Sequence, residues 1–547
     1  MAPLRTCRAS ISRAGTVKNV CILASRRCIG SFPKASYTNH RINMDILRKI
    51  LCQKNTKFKK VWSKHSRAAI NYVNGRIYFA NFGCCYSSIG NKPKQLYEMP
   101  RCVKSEKIED AMLCECPLGE PLPQSSDYTS SLIAITAHNW LLRIAADTGE
   151  TLQQVYLGSY RKFRYIAWDI PQQTLVIKSV QKNCISENQP NVMFYFAVFN
   201  VFPLSLVGVL EIDKKVFGLN VTDAMIADGI LVVMHSPGLV RLYSFEQIAK
   251  ECMQQKCVIG ETCSWRGETG TVGDFPFGIP CNITLTERPP ILFEVPCLEN
   301  AFQVGGYPWH YIVTPNKKKE KGTYHILSMD DHSLAKNGIR DMKACALEPD
   351  VIHFHPDSSE RIIHFEPNQI SVLRLKELHD DAYKYEVTED FIIFATRDPQ
   401  VDNQVTFTAS GRMVKKRYNK LDDDPDQETF KTVVYEDELE LLIVVAVTQT
   451  DIEGKAHVDL HCNETGKILK KITLEESWDV CQPPSGQQHN THGLCVPQLR
   501  LRERERDFTT HSHALVFDRD TLIHIEERPN HNFSCYVYKM QCSSDDS

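Results

Sequence analysis

Paired cysteines are missing from this sequence, although cysteine itself is not. None of the 21 cysteines in the 547-residue chain is followed by another at the Cys-x-x-Cys spacing typical of zinc ribbons and fingers. A disulfide scaffold is excluded as well, because such scaffolds are short secreted chains. We therefore expect free thiols in a reducing compartment, with neither a structural metal nor a cofactor.

Catalytic motifs are also missing. The sequence has no Gly-x-Ser-x-Gly elbow, no phosphate-binding loop ending in Gly-Lys-Ser/Thr and no His-Glu-x-x-His. His353 and His355 alternate and would share one face of a strand, with His364 nearby, but a metal site there would need further ligands of suitable spacing. These absences predict a protein that is not an enzyme.

Long hydrophobic runs are rare. Residues 191–210 form an uncharged stretch of twenty residues, a length that could span a bilayer. Asn200 and Pro203 interrupt it near the middle, and its Phe, Tyr and Val residues suit strands. The pattern favours two buried strands, and a membrane-spanning segment is the alternative.

Acidic residues are almost absent from the first 67 positions. This region holds 16 Lys and Arg against Asp45 alone, so the remainder, with 48 basic and 65 acidic residues, has a net charge of −17. Residues 1–43 predict a disordered basic arm, although their composition is also typical of a mitochondrial transit peptide. A basic arm suits nucleic acid, acidic protein surfaces or import receptors.

Residues 44–67 predict a short, basic, amphipathic helix. Asn43 can cap it, and Asp45 suits its first turn. The apolar stripe would either dock on a partner or pack against the chain's own fold. Four residues at helical spacing form this stripe: Ile46, Leu47, Ile50 and Leu51.

From residue 68 onwards, the pattern is that of strands paired around short turns. These turns lie at 236–238, 367–368, 410–411 and 518–520. Two distant segments, DTGETLQQVYL at 147–157 and ETGKILKKITL at 464–474, share the pattern acid-Thr-Gly-x-x-Leu-x-x-Val/Ile-x-Leu. Each segment follows a strand and is typical of the outer hairpin of a propeller blade.

These features predict an all-β fold, a single irregular β-propeller of about seven to eight blades over residues 68–542. The short basic amphipathic helix and the disordered basic N-terminal arm precede it. The polar stretch 481–513 predicts a disordered insertion, and residues 543–547 form an acidic tail. Another β-rich multidomain arrangement is the alternative.

A cluster of lysines follows Pro315 in an evident loop. Import receptors bind such clusters, whereas a solvated hairpin tip is the alternative interpretation. We interpret the cluster as an aid to nuclear entry. It comprises Lys317, Lys318, Lys319 and Lys321.

Several long stretches are specific enough to suggest a family. They include KFKKVWSKHSR, SSLIAITAHNWLLRI, GTVGDFPFGIPCNI and YEDELELLIVVAVTQ. Together they resemble a vertebrate family of cullin-four-associated factors, from roughly residue 44 to 542 apart from 481–513. The resemblance implies a non-catalytic substrate receptor of a cullin-four RING ubiquitin ligase. Such a receptor binds the adaptor, damage-specific DNA-binding protein one, recruits an unidentified protein substrate and works in the nucleus, often the nucleolus.

One feature departs from many such receptors, which carry a Trp-Asp-x-Arg box at a blade end. Here the pairs at Trp168 and Trp478 continue as Trp-Asp-Ile-Pro and Trp-Asp-Val-Cys, without the Arg. The resemblance therefore does not extend to docking through that box. Many receptors of this class use a short helix before the propeller, and our hypothesis is that the helix and its apolar stripe dock on the adaptor, with packing against the chain's own propeller as the alternative. A nucleolar RNA-binding or ribosome-assembly propeller that uses the basic arm is the alternative function.

Overall fold

The strands of this chain form a succession of small sheets. The computed structural model describes residues 34–542 except for 101–102, 116–129, 170–171, 181–190, 297–301, 307–308, 315–321, 342–350, 358, 379–381, 397–405, 408–412, 415–426, 437–438, 450–453, 479–511, 519 and 529–531. These residues form six four-stranded sheets and one eight-stranded sheet, besides two two-stranded hairpins. The eight-stranded sheet consists of two antiparallel units joined by a parallel bridge between Lys336 and Glu386. We number the four-stranded units blades 1–8 in chain order.

The first elements are α1 (Lys34–Leu51) and β1 (Thr56–Ser66). Blade 1 comprises β2 (Asn71–Val73), β3 (Arg76–Phe79), β4 (Cys84–Ser87) and β5 (Lys94–Glu98), and a short 3-10 helix, Lys104–Glu106, follows it. Blade 2 comprises β6 (Ile108–Cys114), β7 (Ser131–Thr136), β8 (Trp140–Ala145) and β9 (Thr151–Tyr156). Blade 3 comprises β10 (Phe163–Asp169), β11 (Thr174–Ser179), β12 (Val192–Val201) and β13 (Leu204–Asp213).

Blade 4 follows α2 (Lys214–Phe217). It comprises β14 (Val221–Ala227), β15 (Ile230–His235), β16 (Leu239–Ser244) and β19 (Phe293–Pro296). Between the third and fourth of these strands lie α3 (Phe245–Cys252) and a separate hairpin of β17 (Thr262–Trp265) and β18 (Glu268–Thr271). Blade 5 comprises β20 (Phe302–Gly305), β21 (His310–Val313), β22 (Thr323–Ser328) and β23 (Leu334–Asp341). Blade 6 comprises β24 (Val351–Phe354), β25 (Arg361–Phe365), β26 (Gln369–Glu377) and β27 (Tyr385–Phe394).

The hairpin of β28 (Thr406–Phe407) and β29 (Met413–Val414) precedes blade 7. Blade 7 comprises β30 (Gln427–Glu436), β31 (Leu441–Gln449), β32 (Gly454–Cys462) and β33 (Ile468–Trp478). Blade 8 comprises β34 (Ser512–Asp518), β35 (Thr521–Arg528) and β36 (Asn532–Cys542), with β1 as its fourth strand.

Eight hydrophobic cores join the blades into a closed ring. Each core lies between two blades that are neighbours in sequence, as between blades 1 and 2 or between blades 6 and 7. The eighth core packs Ile77 and Phe79 of blade 1 against Ile523 and Val537 of blade 8. Because the last blade packs on the first, the ring is closed, and the predicted β-propeller is confirmed.

Blade 3 explains the uncharged run at 191–210. The run forms the antiparallel pair β12 and β13, which confirms the predicted two strands. On β12, Tyr195 and Ala197 face the core shared with blade 2, whereas Phe194 and Phe196 face the core shared with blade 4. A strand that is buried on both faces consists mostly of apolar residues, because polar side chains there would lose their contact with water. Across the described residues we find no helix with both the length and the apolar character that crossing a bilayer requires.

The N-terminal region differs from its prediction. The helix predicted over 44–67 ends at Leu51, and residues 56–66 instead form β1, which pairs antiparallel with β36. Helix α1 begins at Lys34, inside the predicted arm, so Asn43 lies within the helix and does not cap it. The lysines of β1 suggested a polar helix, but lysine is also common on the outermost strand of a sheet. The rest of the arm, the core of the 481–513 insertion and the 543–547 tail lie outside the described residues.

The shared acid-Thr-Gly pattern occupies the same place in two blades. Its copies connect β8 to β9 in blade 2 and β32 to β33 in blade 7, which confirms the predicted outer hairpins. Both glycines adopt positive φ, +74° at Gly149 and +66° at Gly466. A Cβ at Gly149 would lie 2.7 Å from the ring of Tyr97, and one at Gly466 would lie 2.3 Å from the ring of Phe391. In each case the ring belongs to the fourth strand of the preceding blade, so the glycine allows close contact between neighbouring blades.

Candidate docking surface

Helix α1 lies against the joint between blades 7 and 8. Leu51 is completely buried in the core that these two blades share, and Met44 and Leu47 pack against the same core. The three residues recur at intervals of three and four, so they form one face of the helix. Burying a leucine side chain contributes about 1.5–3 kcal/mol, so this face fixes the helix on the propeller.

Polar contacts hold the C-terminal end of α1. Arg48 donates to the Cys462 thiol at 3.3 Å and lies 4.0 Å from the carboxylate of Glu440, both at one end of blade 7. The hydroxyl of Thr56 donates to the backbone carbonyl of Ile50 at 2.6 Å, and Lys470 donates to the carbonyl of Gln53 at 2.6 Å. The last carbonyls of a helix have no partner within the helix, so the bond from Thr56 stabilises the end of α1, and the Arg48 and Lys470 contacts attach this end to blade 7.

The surroundings of the Cys462 thiol, Arg48 among them, lower its pKa. Burial by itself raises the pKa of this thiol, but hydrogen bonds from Thr465 and from the backbone N–H groups of Glu464 and Thr465, together with the charge of Arg48, outweigh burial and lower it. Burial raises the pKa of Cys52, at the end of the helix. Cys462 therefore forms a thiolate more readily, and a thiolate strengthens the hydrogen bond from Arg48.

The opposite face of α1 points to solvent. Ile42 and Ile46 lie one turn apart and are each 49% exposed, and Asp45 and Lys49 beside them are also exposed. Exposed isoleucines at this spacing form a small apolar patch with charged neighbours, which we call the outer patch. From Ile42 onwards, where the side chains of α1 are described, the outer patch is an apolar surface available to another protein.

The predicted apolar stripe is divided between these two faces. Leu47 and Leu51 contact the propeller, Ile46 belongs to the outer patch, and Ile50 is half-buried between them. Sequence reasoning missed Ile42, because it placed the start of the helix after this residue. It also missed Arg48, whose partners are more than 390 positions away in the sequence and leave no local signal.

A basic surface adjoins the helix. Lys57, Lys59 and Lys60 on β1 are exposed, as are Lys49 and Lys54 on and just after α1. β1 is the outermost strand of blade 8, so these ammonium groups lie on the periphery of the ring. This arrangement favours contact with an anionic surface.

Other predicted site residues lie elsewhere. The import cluster, Lys317 to Lys321, lies outside the described residues, between the paired strands β21 and β22. His364 is opposite Ile352 in the register of blade 6, so its side chain lies on the other face from His353. Within the described residues no metal-ligating group that includes His353, His355 or His364 is found.

The first Trp-Asp pair serves the fold. Trp168 is partly buried in the core between blades 2 and 3. Asp169 is buried, and its carboxylate accepts a hydrogen bond from the backbone N–H of Gly229, in blade 4, at 2.8 Å. Burial raises the pKa of Asp169 to about 6, although backbone hydrogen bonds oppose the shift. The second pair differs, because Trp478 ends β33, the fourth strand of its own blade.

The chain is similar to known proteins over most of its length. The model of the family described as "DDB1- and CUL4-associated factor 17" matches residues 42–485 and 486–540. The Homo sapiens protein of that name is 56% identical over 532 residues, 96% of each chain, and the Danio rerio protein is 47% identical over 537 residues, 97% of this chain and 96% of that one.

Solved structures align more loosely. The computationally designed Ika8 protein covers 88% of this chain and 98% of its own, with 10% identity and a TM-score of 0.34. The β-propeller domain of Cps50 (Swd1) from Myceliophteria thermophila covers 75% of this chain and 93% of its own, with 7% identity and a TM-score of 0.31.

Proposed function

Because the chain belongs to the DDB1- and CUL4-associated factor 17 family, we propose that it is a non-catalytic substrate receptor of a cullin-4 RING ubiquitin ligase. In this function it binds DDB1 and recruits a target protein for ubiquitination. The observation that carries the proposal is the family match over nearly the whole described chain. A rigid ring with a helix fixed on its periphery suits a protein that holds two partners at a set distance.

The outer patch of α1 is the DDB1-binding surface in this proposal. Full burial of one isoleucine contributes about 1.5–3 kcal/mol, so covering the exposed halves of Ile42 and Ile46 supplies roughly 1.5–3 kcal/mol in total. A micromolar complex requires about 8 kcal/mol after the cost of association. The helix therefore acts together with a neighbouring surface in this proposal, and β1, which begins five residues after the end of α1, supplies exposed lysines for it.

The test is a binding measurement between the full chain and purified DDB1. Replacing both Ile42 and Ile46 with Asp should weaken binding at least tenfold and leave the melting temperature unchanged, since neither side chain contacts a core. The matched control is Ile339→Asp, because Ile339 in blade 5 is 50% exposed and far from α1 in the ring. Equal DDB1 binding by the double variant and the control would overturn the outer patch as the docking surface.

Truncation is a poor substitute for these variants. Removing residues 1–67 would also remove β1, the fourth strand of blade 8. Loss of DDB1 binding would then report a damaged propeller. Removing residues 1–33 leaves α1 and β1 in place, and it tests whether the basic arm adds to binding.

We also propose a nuclear, nucleolar location for this receptor. The lysine cluster at Lys317, Lys318, Lys319 and Lys321 and the basic region 1–67 support it, because import receptors bind basic clusters. Replacing the four lysines with alanine should reduce nuclear accumulation of the full chain in cells. Unchanged nuclear accumulation would remove the cluster from the proposal.

The basic surface of β1 favours a second function, binding of RNA during ribosome assembly. Lys57, Lys59 and Lys60 could each contact a phosphate, and each such contact to a single strand adds about 0.7 to the slope of log affinity against log salt concentration. RNA binding that weakens steeply with salt, and that loses about two units of slope when the three lysines become alanine, would support it. DDB1 binding with no measurable RNA binding would leave only the receptor function.

A further inference from the structure

The face of blade 7 that packs on blade 6 contains a charged cluster. His457 and Asp459 alternate on β32 and point to this face, beside the apolar core that the two blades share. Glu428 on β30 and Lys471 on β33 reach the same place. Glu428, His457 and Asp459 are only 4–5% exposed, which is unusual for two carboxylates in one cluster.

The sequence of β31 lets these side chains meet. β31 lies between β30 and β32, and its Ala446 is directly opposite His457. The same alanine is opposite Phe430 on β30, two residues after Glu428. A methyl group leaves room above the sheet, so the Glu428 carboxylate reaches across the strand to the His457 ring. A larger residue at position 446 would keep them apart.

The ligating atoms of the cluster converge. A carboxylate oxygen of Glu428 lies 2.5 Å from Nε2 of His457, and Oδ2 of Asp459 lies 3.5 Å from the same nitrogen. The second oxygen of Asp459, Oδ1, is buried and has no hydrogen-bond partner within the described part of the chain. A buried carboxylate whose second oxygen has no donor is costly to keep charged, and a cation bound by the same carboxylate lowers that cost by neutralising its charge.

We propose that Glu428, His457 and Asp459 bind a divalent transition-metal ion, zinc in the first place. One imidazole nitrogen and two carboxylate oxygens are common zinc ligands, with a water completing the tetrahedron. Bonds of about 2.0–2.2 Å place tetrahedral ligands about 3.3–3.6 Å apart. The 3.5 Å between Nε2 of His457 and Oδ2 of Asp459 already fits, and the 2.5 Å between this nitrogen and the Glu428 carboxylate would have to increase by about 0.8–1.1 Å when the metal binds.

Lys471 is the counter-charge that the metal displaces. Its ammonium lies 3.2 Å from Glu428 and 3.9 Å from Asp459, and its side chain is half exposed. A half-exposed lysine can turn into solvent at little cost when a divalent cation takes its place. If the cluster binds a metal, removing Lys471 should therefore raise its affinity for the metal. If the cluster is only an ion pair, removing Lys471 would simply leave a buried carboxylate without a counter-charge.

The metal strengthens the joint between blades 6 and 7. The second oxygen of Glu428 accepts a hydrogen bond from the backbone N–H of Thr396, just after the last strand of blade 6, at 2.9 Å. A metal held by Glu428 therefore connects β32 of blade 7 to the chain that leaves blade 6. This structural site is independent of the docking surface on α1.

The test uses the full chain, stripped with a chelator and titrated with Zn²⁺. We expect one tight equivalent and a higher melting temperature with zinc. Co²⁺ should give tetrahedral absorption without the thiolate charge-transfer band that cysteine ligands produce, which separates this site from the 21 cysteines. His457→Gln removes a ligand, so it should weaken zinc binding by more than the roughly 10–100-fold that loss of an outer-shell partner costs.

Two further variants distinguish a metal site from an ion pair. His355, buried and 2.8 Å from Asp357 in blade 6, is the matched histidine, and His355→Gln should leave zinc binding unchanged. Lys471→Gln, at the solvent side, should tighten zinc binding roughly tenfold even if the His457 variant does not fold. A folded wild-type chain that binds no zinc, or Lys471→Gln with unaltered affinity, would show that the cluster is an ion pair only.

Discussion

The glycine of the repeated turn should be one of the least replaceable residues of the propeller. Gly466→Ala introduces a Cβ at φ +66°, and this atom would lie 2.3 Å from the ring of Phe391. Ordinary contact begins near 3.4 Å, so the ring would have to move by about 1 Å. Phe391 packs against the core between blades 6 and 7, which limits that movement.

The expected cost follows from two contributions and one offset. A left-handed conformation costs an alanine about 1–2 kcal/mol, and overpacking a core costs about 1–3 kcal/mol. The alanine also lowers the entropy of the unfolded chain, which returns about 0.4–1 kcal/mol. We therefore expect Gly466→Ala to lower the free energy of unfolding by about 1–4.5 kcal/mol, with a central value of about 3 kcal/mol.

The assay is denaturant unfolding of the full chain, compared with two other glycine variants. Gly149→Ala should behave like Gly466→Ala, because its Cβ would meet Tyr97 at 2.7 Å. Gly260→Ala has a similar φ, +84°, but open space around the Cβ, so it should cost only about 1 kcal/mol. Adding Phe391→Leu to Gly466→Ala should recover part of the loss. If Gly466→Ala cost no more than Gly260→Ala, close contact between blades would not be the reason for the repeated glycine.

Three further predictions concern the fold and α1. Asp169→Asn should gain stability relative to wild type as the pH rises from 4 to 6, by on the order of 2 kcal/mol, because the pKa of Asp169 is raised in the folded state, so the wild-type chain loses stability between the unfolded pKa of 3.8 and the folded pKa of about 6; an equal difference in melting temperature between variant and wild type at both pH values would contradict this. Leu51→Ala should lower the free energy of unfolding by about 2–5 kcal/mol, whereas Ile46→Ala should change it by less than about 0.5 kcal/mol, as measured by denaturant titration. Deletion of 1–67 should yield aggregated chain in size-exclusion chromatography, since it leaves an edge of β36 uncovered, whereas deletion of 1–33 should yield monomer.

The strands of the propeller could be predicted because their signals are local. The turn at 236–238 and the apolar halves of 191–210 carry period-two patterning within a few residues, and the structure places paired strands there. The repeat at 147–157 and 464–474 indicated outer hairpins for the same reason. Its glycine could not be explained from sequence, since Tyr97 and Phe391 belong to neighbouring blades.

The candidate site was predicted only in part. An apolar stripe shows that a helix has a buried face, but it does not show where that face lies, so Leu51 and Ile46 could not be separated. β1 was mistaken for helix because its pairing partner, β36, is more than 460 residues away. The cluster around His457 was missed for a similar reason: Glu428 lies on another strand, and Ala446, which makes room for it, looks like any core alanine.

The pairing of β1 with β36 has a consequence for synthesis of the chain. At about 5–20 residues per second, the ribosome needs roughly 25–95 s after it has made β1 before it completes β36. During that interval β1 has no strand to pair with. The blades that have already been made cannot close into a ring, because blade 8 is still incomplete. A message that lacks even the last forty or so codons therefore encodes an open arc of blades. The two terminal blades of that arc each expose an apolar face, so we expect such truncated chains to aggregate or to be degraded.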